Sequence, residues 1–230
     1  ILIAPQSAAV GDYWRLLASA APAQVVDAGH TPIDRIWIAA SRNSGELGIL
    51  AHAATYQSMA LGVGKAISRA VWPMTLDEAR ANPSSMPVTR VSSALINFIF
   101  GALGIAIAAV GFEAINFISN GKFGEAAVFA SALVAVLLVQ HAGRNAMGVA
   151  YSQGKGAALS RNALVAGIVG IAVSLVSIPL FGAAGSILGM FARFAVFRTQ
   201  LYLCTRGMGI AKTVRWLVCG LGAAAAPRTA

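Results

Sequence analysis

The chain alternates between long apolar blocks and short polar segments rich in Gly, Pro and Ser. A helix of about 20 residues, rising about 1.5 Å per residue, crosses the ~30 Å hydrocarbon layer of a bilayer. Every apolar block is long enough for such a helix. The blocks cover about residues 13–40, 46–72, 91–118, 125–151, 157–181 and 184–205. The pattern predicts an all-α polytopic membrane protein with about six transmembrane helices.

The segments between the blocks contain residues that end helices. Pro73 predicts the end of the second helix, and a polar loop, TLDEARANPSSMPVTR, follows it. The pair Asn120-Gly121 predicts a turn between the third and fourth helices. The sequence Phe181-Gly182-Ala183 predicts a tight turn between the fifth and sixth.

Composition favours the membrane as the solvent of this chain. The sequence is 57% hydrophobic and only 11% charged, whereas a soluble domain carries about 25% charged residues. The net charge is +9, from 17 Lys and Arg against 8 Asp and Glu. These basic residues lie mostly between the apolar blocks and at their ends, which is typical of loops that face anionic lipid. Nucleic acid is not an expected partner.

The basic residues are unevenly divided between the two sides of the predicted bundle. Arg42 and Lys122 lie on one side, with Arg35 at its edge. The other side carries the larger group, which comprises Arg69, Arg80, Arg90, Lys155, Arg161, Arg206, Lys212 and Arg215. The positive-inside rule therefore places both ends of the segment in the cytoplasm.

Three regions are predicted along the chain. Residues 1–12 form a linker or a truncated preceding segment, and residues 13–206 form a six-helix transmembrane lobe. Residues 207–230 are a cytoplasmic tail or the start of a further helix. The chain begins at Ile1 and shows no signal peptide, which favours a fragment of a longer protein.

Enzyme motifs do not account for this sequence. The segment GKG at 154–156 lacks the glycine spacing and the hydroxyl residue of a phosphate-binding loop. Neither HExxH nor GxSxG occurs, and Cys204 and Cys219 lack the ligand spacing of a zinc site. We expect no enzymatic activity, no cofactor and no metal.

The first block contains ionisable residues, which are costly inside a membrane and therefore indicate function. Asp27, His30 and Asp34 have the spacing i, i+3, i+7, which places them on one helix face. Gly29 and Pro32 lie between them and can kink or unwind the helix. A wet face of this kind can exchange protons or ions. Alternatively, Asp34 is interfacial and Asp27 only hydrogen-bonds a neighbouring helix.

The fourth block ends in a polar stripe. Gln140, His141, Arg144 and Asn145 fall within one arc of a helix at 100° per residue, and apolar residues occupy the opposite side. This arrangement predicts a water-filled cavity open to the cytoplasm. The alternative is that Arg144 snorkels to the interface.

The sixth block contains an arginine too deep to snorkel easily. Arg193 follows Ala184 by nine residues, roughly 13 Å along a helix, and Gln200 lies on the same face. Such a cation requires a carboxylate partner, for which Asp27 has the right depth, or an anionic ligand such as a diphosphate. The predicted cationic substrate site therefore consists of Arg193, Arg144, His141, Gln140, Asn145 and Gln200.

Small residues recur one turn apart in several blocks, and such pairs let helices approach closely in lipid. Gly62 occurs with Ala66, and Gly101 occurs near Gly104. A third group, formed by Gly182, Gly185 and Gly189, opens the sixth block. The simplest interpretation of all three is ordinary helix packing.

Four segments together resemble a known family. IDRIWIAASRNSGELGILAHA is similar to the seventh-to-eighth-helix segment of Wzx-type polysaccharide flippases, with Asp34, Glu46 and Gly48 in place and Leu50 or Ile49 where Tyr is usual. AVWPMTLDEAR resembles the inner loop of that family. FISNGKFGEAA resembles an outer loop, and SIPLFGAAGSILG resembles the turn between helices eleven and twelve.

The resemblance covers about residues 13–206 and implies the C-terminal half of a multidrug/oligosaccharidyl-lipid/polysaccharide exporter. Such proteins flip polyisoprenyl-diphosphate-linked oligosaccharide across the bacterial inner membrane by alternating access. Protons or Na+ would drive the cycle, and polysaccharide polymerase machinery is an expected partner. The alternatives are a drug/cation exporter of the same superfamily, a membrane subunit of a polysaccharide synthase, and a purely structural membrane subunit.

Overall fold

The structure of the protein is a computed structural model, which describes residues 7–41, 44–81, 87–142, 147, 150 and 154–205. Within these ranges the chain forms helices and turns and no strand, so the predicted all-α class is confirmed for them. The helices are α1 (Ser7–Ser41), α2 (Ser44–Ala81), α3 (Pro87–Ile118), α4 (Ala126–Ala142), α5 (Gly156–Phe181) and α6 (Ala183–Thr205).

The helices pack as two groups of three. In the first group, α5 lies between α1 and α6 and packs along both. In the second, α4 packs along α2 and α3, which also contact each other. The contact between α4 and α6 is the main link between the groups, because α2 touches α1 and α6 only slightly. A cleft between the two groups is the consequence of this arrangement.

Two apolar cores stabilise the bundle. One is shared by both groups and includes Ile38, Leu50, Leu133 and Ile178, all buried. The other lies within the second group, around the buried Phe100. The shared core occupies the end of the bundle where α2, α4 and α6 begin, and it fixes the two groups to each other there.

The second helix continues beyond Pro73, so the predicted end at that residue is wrong. Proline has no backbone N–H, but its ring removes only one bond of the helical ladder, and α2 runs on to Ala81. The Thr75 hydroxyl donates to the Val71 carbonyl over 3.2 Å and supports the turn around the proline. Much of the predicted polar loop is therefore the last part of α2.

That extension allows α2 to cap α3. The Glu78 carboxylate accepts hydrogen bonds from the backbone N–H groups of Val88 and Thr89, at 2.8 and 3.0 Å. It also accepts one from the Thr89 hydroxyl at 2.8 Å. Pro87 is the first residue of α3, where its missing N–H costs nothing. The carboxylate satisfies donors that a helix start otherwise leaves unpaired.

Both predicted turns are confirmed. Asn120 and Gly121 have φ of 51° and 82°, in the left-handed region that Asn and Gly tolerate. Gly182 alone separates α5 from α6 and has φ of 58°. The Glu46 carboxylate accepts a hydrogen bond from the Ala183 N–H at 3.1 Å. The start of α2 is thereby joined to the start of α6, although the two segments are far apart in sequence.

The small residues at the start of α6 do allow close helix approach. A Cβ built on Gly185 would lie 2.5 Å from the backbone nitrogen of Ile178. The Ser177 hydroxyl donates to the Gly185 carbonyl over 2.8 Å and links α5 to α6. A Cβ built on Gly62 or on Gly101 would meet nothing within 4 Å. These two glycines therefore do not mediate close packing among the described residues.

Three helices in the described part of the chain are long and apolar enough to cross a membrane, namely α3, α5 and α6 over Ala183–Cys204. The apolar part of α4, Ala126–His141, is shorter. Helices α1 and α2 are long but too polar to qualify. Asp27 and Asp34 lower the mean hydropathy of α1, and Lys65 lowers that of α2. Length and composition thus support three of the six predicted spans.

One long-range hydrogen bond replaces a backbone hydrogen bond that α5 lacks because of Pro179. Pro179 has no N–H to donate to the Leu175 carbonyl, one turn earlier. The Trp37 indole of α1 donates to that carbonyl instead, over 3.1 Å. The bond lies on the exposed surface of the bundle, and it ties α1 to α5 near their ends.

Replacing Trp37 with Phe is expected to lower the free energy of unfolding by about 1 kcal/mol, the net value of one hydrogen bond. In a Pro179→Ala background the same change is expected to cost less, because the substituted alanine supplies the missing N–H. Denaturant unfolding of the four proteins in this double-mutant cycle measures the coupling. If Trp37→Phe lowers the free energy of unfolding equally in both backgrounds, Trp37 does not compensate for the missing N–H of Pro179.

Candidate functional site

A cavity of about 300 Å³ lies between the two helix groups. It borders the shared apolar core, since Leu50 and Leu133 belong to both. Helices α1 and α6 form one wall, which we call the α1–α6 wall, with His30, Thr31, Asp34, Arg35, Ser186, Met190, Arg193 and Phe194. Helices α2 and α4 form the α2–α4 wall, with Leu47, Leu50, Ala51, Ala54, Gln57, Ser58, Leu61, Leu133, Leu137 and Gln140.

The centre of the α1–α6 wall is a buried polar cluster. The Ser186 hydroxyl of α6 donates to the Asp34 carboxylate of α1 over 2.5 Å. His30 lies one turn before Asp34, and its Nδ1 is 3.8 Å from the same carboxylate oxygen. Both α1 residues are only 1% exposed. The second Asp34 oxygen and His30 Nε2 have no hydrogen-bond partner among the described residues, so the cluster retains capacity for a proton or a cation.

Glycines of α5 and α6 make room for this cluster. A Cβ built on Gly170 would lie 3.2 Å from His30 Nε2 and 2.7 Å from the Arg193 Cβ. A Cβ built on Gly189 would collide with the Ser174 hydroxyl. Small residues at these positions are therefore required for α1, α5 and α6 to bring their polar side chains together.

Arg193 lies beside the cluster and lines the cavity. It follows the first residue of α6 by ten residues, roughly 15 Å along the helix axis. Its guanidinium is 5.2 Å from the Phe194 ring centroid, within the range of a cation–π contact. Arg35 of α1 lines the same cavity. The described lining contains two arginines against one aspartate, Asp34, so the cavity is cationic whether or not that carboxyl is ionised.

The α2–α4 wall is mostly apolar and carries three uncharged polar residues, Gln57, Ser58 and Gln140. Gln57 donates weakly to the Leu133 carbonyl of α4, over 3.5 Å. The Ser58 hydroxyl donates to the Ala54 carbonyl within α2, over 2.8 Å. Gln140 of α4 completes the polar groups, and the remaining lining side chains of this wall are leucines and alanines.

The structure brings together residues of both predicted sites, namely His30 and Asp34 of the coupling group and Gln140 and Arg193 of the substrate site. It does not bring His141 to the same place. His141 is buried in α4, and its ring packs edge-on against Phe100, with centroids 4.9 Å apart. Successive helical residues are 100° apart, so Gln140 can face the cavity while His141 faces the core of the second group.

The remaining predicted site residues lie elsewhere. Gln200 is half-buried two turns beyond Arg193 and does not line the cavity. The side chain of Asp27 lies outside the described part of the structure, as do Arg144 and Asn145. The predicted pairing of Asp27 with Arg193 and the predicted mouth at Arg144 therefore stay predictions.

No three His, Cys, Asp or Glu side chains in the described ranges are grouped so that they could hold a metal ion. His52 stacks on Phe123, with ring centroids 4.9 Å apart. It also lies 3.2 Å from the Tyr56 hydroxyl. Each described histidine thus has a different environment.

The sequence analysis did not single out Gln57 or Ser186, and it counted Arg35 only among the basic residues at the edge of one side of the bundle. Ser186 gave no signal, because a serine in a run of small residues is typical of helix packing. Gln57 could have been identified from the sequence, since burying an amide in an apolar block costs free energy unless the amide has a hydrogen-bonding partner. Arg35 adjoins Asp34 in sequence and shares its wall of the cavity.

Comparison with family models, with curated proteins and with solved structures finds no match to this chain.

Proposed function

We propose that this chain is a membrane-embedded lobe of a transporter that flips polyisoprenyl-diphosphate-linked oligosaccharide across the bacterial inner membrane. The lobe consists of all six helices and works by alternating access. It is not an enzyme. The observation that carries the proposal is the cationic cavity between the two helix groups, with Arg193 at mid-helix depth.

The outer surface of the bundle supports a membrane location. Large apolar side chains are widely exposed, as for Phe98 at 73% and Ile105 at 72% on α3. The polar residues His30, Asp34 and Ser186 are buried inside instead. This inside-out distribution suits a protein whose surroundings are hydrocarbon, because apolar side chains then face the lipid and polar ones the interior.

The cavity chemistry favours an anionic headgroup as the cargo. Arginine binds phosphate oxygens through two parallel N–H bonds, and a low-dielectric site strengthens that interaction. In the proposed mechanism Arg193 and Arg35 hold the diphosphate while the lipid tail stays in the bilayer. The cavity is large enough for a headgroup and too small for a complete lipid.

The buried cluster on α1 supplies the proposed coupling. Asp34 and His30 are within reach of the cavity, and each has one polar atom with spare hydrogen-bonding capacity. Binding or release of a proton or Na+ at this cluster, together with Asp27, would change the charge next to Arg193. Rocking of this six-helix lobe against the second lobe of the transporter would then carry the headgroup across.

The proposed orientation follows from the loop charges, with both ends of the segment in the cytoplasm. Under this orientation the starts of α2, α4 and α6, including the Glu46 cap on α6, lie on the outer side. Polysaccharide polymerase machinery remains the proposed protein partner.

Ligand-induced stabilisation of the protein in detergent tests the proposed cargo. A polyisoprenyl diphosphate is expected to raise the melting temperature, because a ligand that binds only the native state stabilises it. A lipophilic quaternary ammonium of equal chain length is the matched control and is expected to have no effect. Stabilisation by the cation alone would instead support the drug/cation exporter, which the Asp34 carboxylate beside the cavity favours.

A further inference from the structure

The two walls of the cavity differ in chemistry as well as in origin. All its ionisable lining residues, His30, Asp34, Arg35 and Arg193, come from the α1–α6 wall. Within the described lining, the α2–α4 wall carries no ionisable side chain. Its polar groups are two amides and one hydroxyl. A ligand that fills the cavity therefore meets charge on one side and neutral hydrogen-bonding groups on the other.

The amides of the α2–α4 wall have hydrogen-bonding capacity to spare. The only bond from the Gln57 side chain among the described residues is the long one to the Leu133 carbonyl, at 3.5 Å. Neither of its polar atoms is both buried and unpaired, so its oxygen is accessible within the cavity. Gln140 is half-buried and also has no buried, unpaired polar atom. An amide can donate and accept at the same time, as a sugar hydroxyl can.

The apolar residues of the same wall suit a sugar as well. Leu61 and Leu137 line the cavity in the neighbourhood of the two amides. A pyranose ring has C–H faces that pack on apolar side chains and hydroxyls at its edge. Sites of this mixed kind fix a ligand through a few placed polar groups within an apolar lining.

We propose that the α2–α4 wall is a sugar subsite, in which Gln57 and Gln140 select an uncharged first sugar on the diphosphate. The selection against charged sugars follows from the wall itself. With the diphosphate occupying Arg35 and Arg193, a uronate carboxylate on the first sugar would leave water for a wall whose described lining offers it no cation, and an unpaired charge is strongly unfavourable there. This inference rests on the proposed function, because it assumes that the diphosphate occupies the α1–α6 wall.

Binding of three matched lipids tests the subsite. The probes are a polyisoprenyl diphosphate without sugar, the same lipid with a neutral hexose, and the same lipid with a hexuronic acid. We expect the hexose lipid to bind most tightly and the hexuronate lipid to bind no better than the bare lipid. The Gln57→Leu protein is expected to lose about three- to tenfold of the hexose preference, the factor for one neutral hydrogen bond.

Two further variants keep this test decisive. Gln140→Leu removes the other amide and is expected to give a loss of similar size, so a folding defect of one variant does not end the test. Thr55→Val removes a hydroxyl from the exposed side of α2, where Thr55 donates to the Ala51 carbonyl, and is expected to leave all three affinities unchanged.

The outcomes separate the subsite from the proposed function. An unchanged hexose preference in both glutamine variants, with the bare lipid still bound, overturns the subsite and leaves the transporter proposal standing. A preference for the hexuronate lipid overturns the selection for an uncharged sugar. If none of the three lipids binds the wild-type protein, the proposed function fails.

Discussion

Replacing Arg193 with Ala is expected to abolish export of lipid-linked oligosaccharide while the protein still inserts and folds. Truncating one partner of a buried charge interaction costs about 2–5 kcal/mol, which corresponds to at least roughly a 30-fold loss. Arg193 is half-buried and lines the cavity at mid-helix depth, where it would be a main positive charge available to the diphosphate. Polysaccharide at the cell surface, measured at matched protein level in the membrane, reports the loss.

Two companion variants show whether the loss is specific. Arg193→Lys keeps the charge but not the planar pair of N–H donors, and it is expected to fall between wild type and Arg193→Ala. Arg161→Ala removes the same charge from an exposed position on α5 and is expected to export normally. Normal export by a stably inserted Arg193→Ala protein would sink the assignment of Arg193 to the cargo.

The helices could be predicted from the sequence because their signals are local. Apolar block length, Asn120-Gly121 and Gly182 together predicted an all-α chain and two of its turns. The end of α2 was wrongly predicted at Pro73, because whether a proline ends a helix depends on the contacts of the residues that follow it. A proline costs a helix one hydrogen bond, and the cap that Glu78 places on α3 holds the following residues of α2 in place.

The candidate site was predictable only where one helix contains it. His30 and Asp34 are one turn apart, so their neighbourhood follows from helix geometry alone. The partnership of Asp34 with Ser186 joins residues 152 positions apart and depends on how α1 meets α6. The division between a charged wall and an amide wall depends on the packing of four helices. No periodicity in the sequence contains that information.

The packing of helices also explains why Gln140 and His141, which are neighbours in sequence, lie in different environments. Of the polar stripe predicted for α4, Gln140 lines the cavity and His141 does not, while Arg144 and Asn145 lie outside the described residues. Two successive residues of a helix point about 100° apart, so one can face a cavity while the next faces a neighbouring core. Phe100 and Gly64 provide a pocket for the imidazole of His141, since a Cβ on Gly64 would lie 3.3 Å from that ring. His141 therefore packs in the core of the second group, and Gln140 lines the cavity.

The largest expected effect on stability comes from Gly185→Ala. The new methyl group would lie 2.5 Å from both the Ile178 nitrogen and the Ser177 carbonyl oxygen, which are backbone atoms of α5 and cannot rotate away. Helices α5 and α6 would have to separate, and overpacking of this kind costs up to about 3 kcal/mol. For a chain of this length the melting temperature is expected to fall by roughly 6–12 °C.

Gly62→Ala is the matched control, because the same methyl group is added to a helix where nothing lies within 4 Å. Alanine is favoured over glycine in a helix interior by about 1 kcal/mol, so the control is expected to be neutral or slightly stabilising. Opposite signs for two identical substitutions would arise from the close approach of α5 and α6 at Gly185. Equal stability of the two variants, measured by thermal unfolding in detergent, would contradict this close packing.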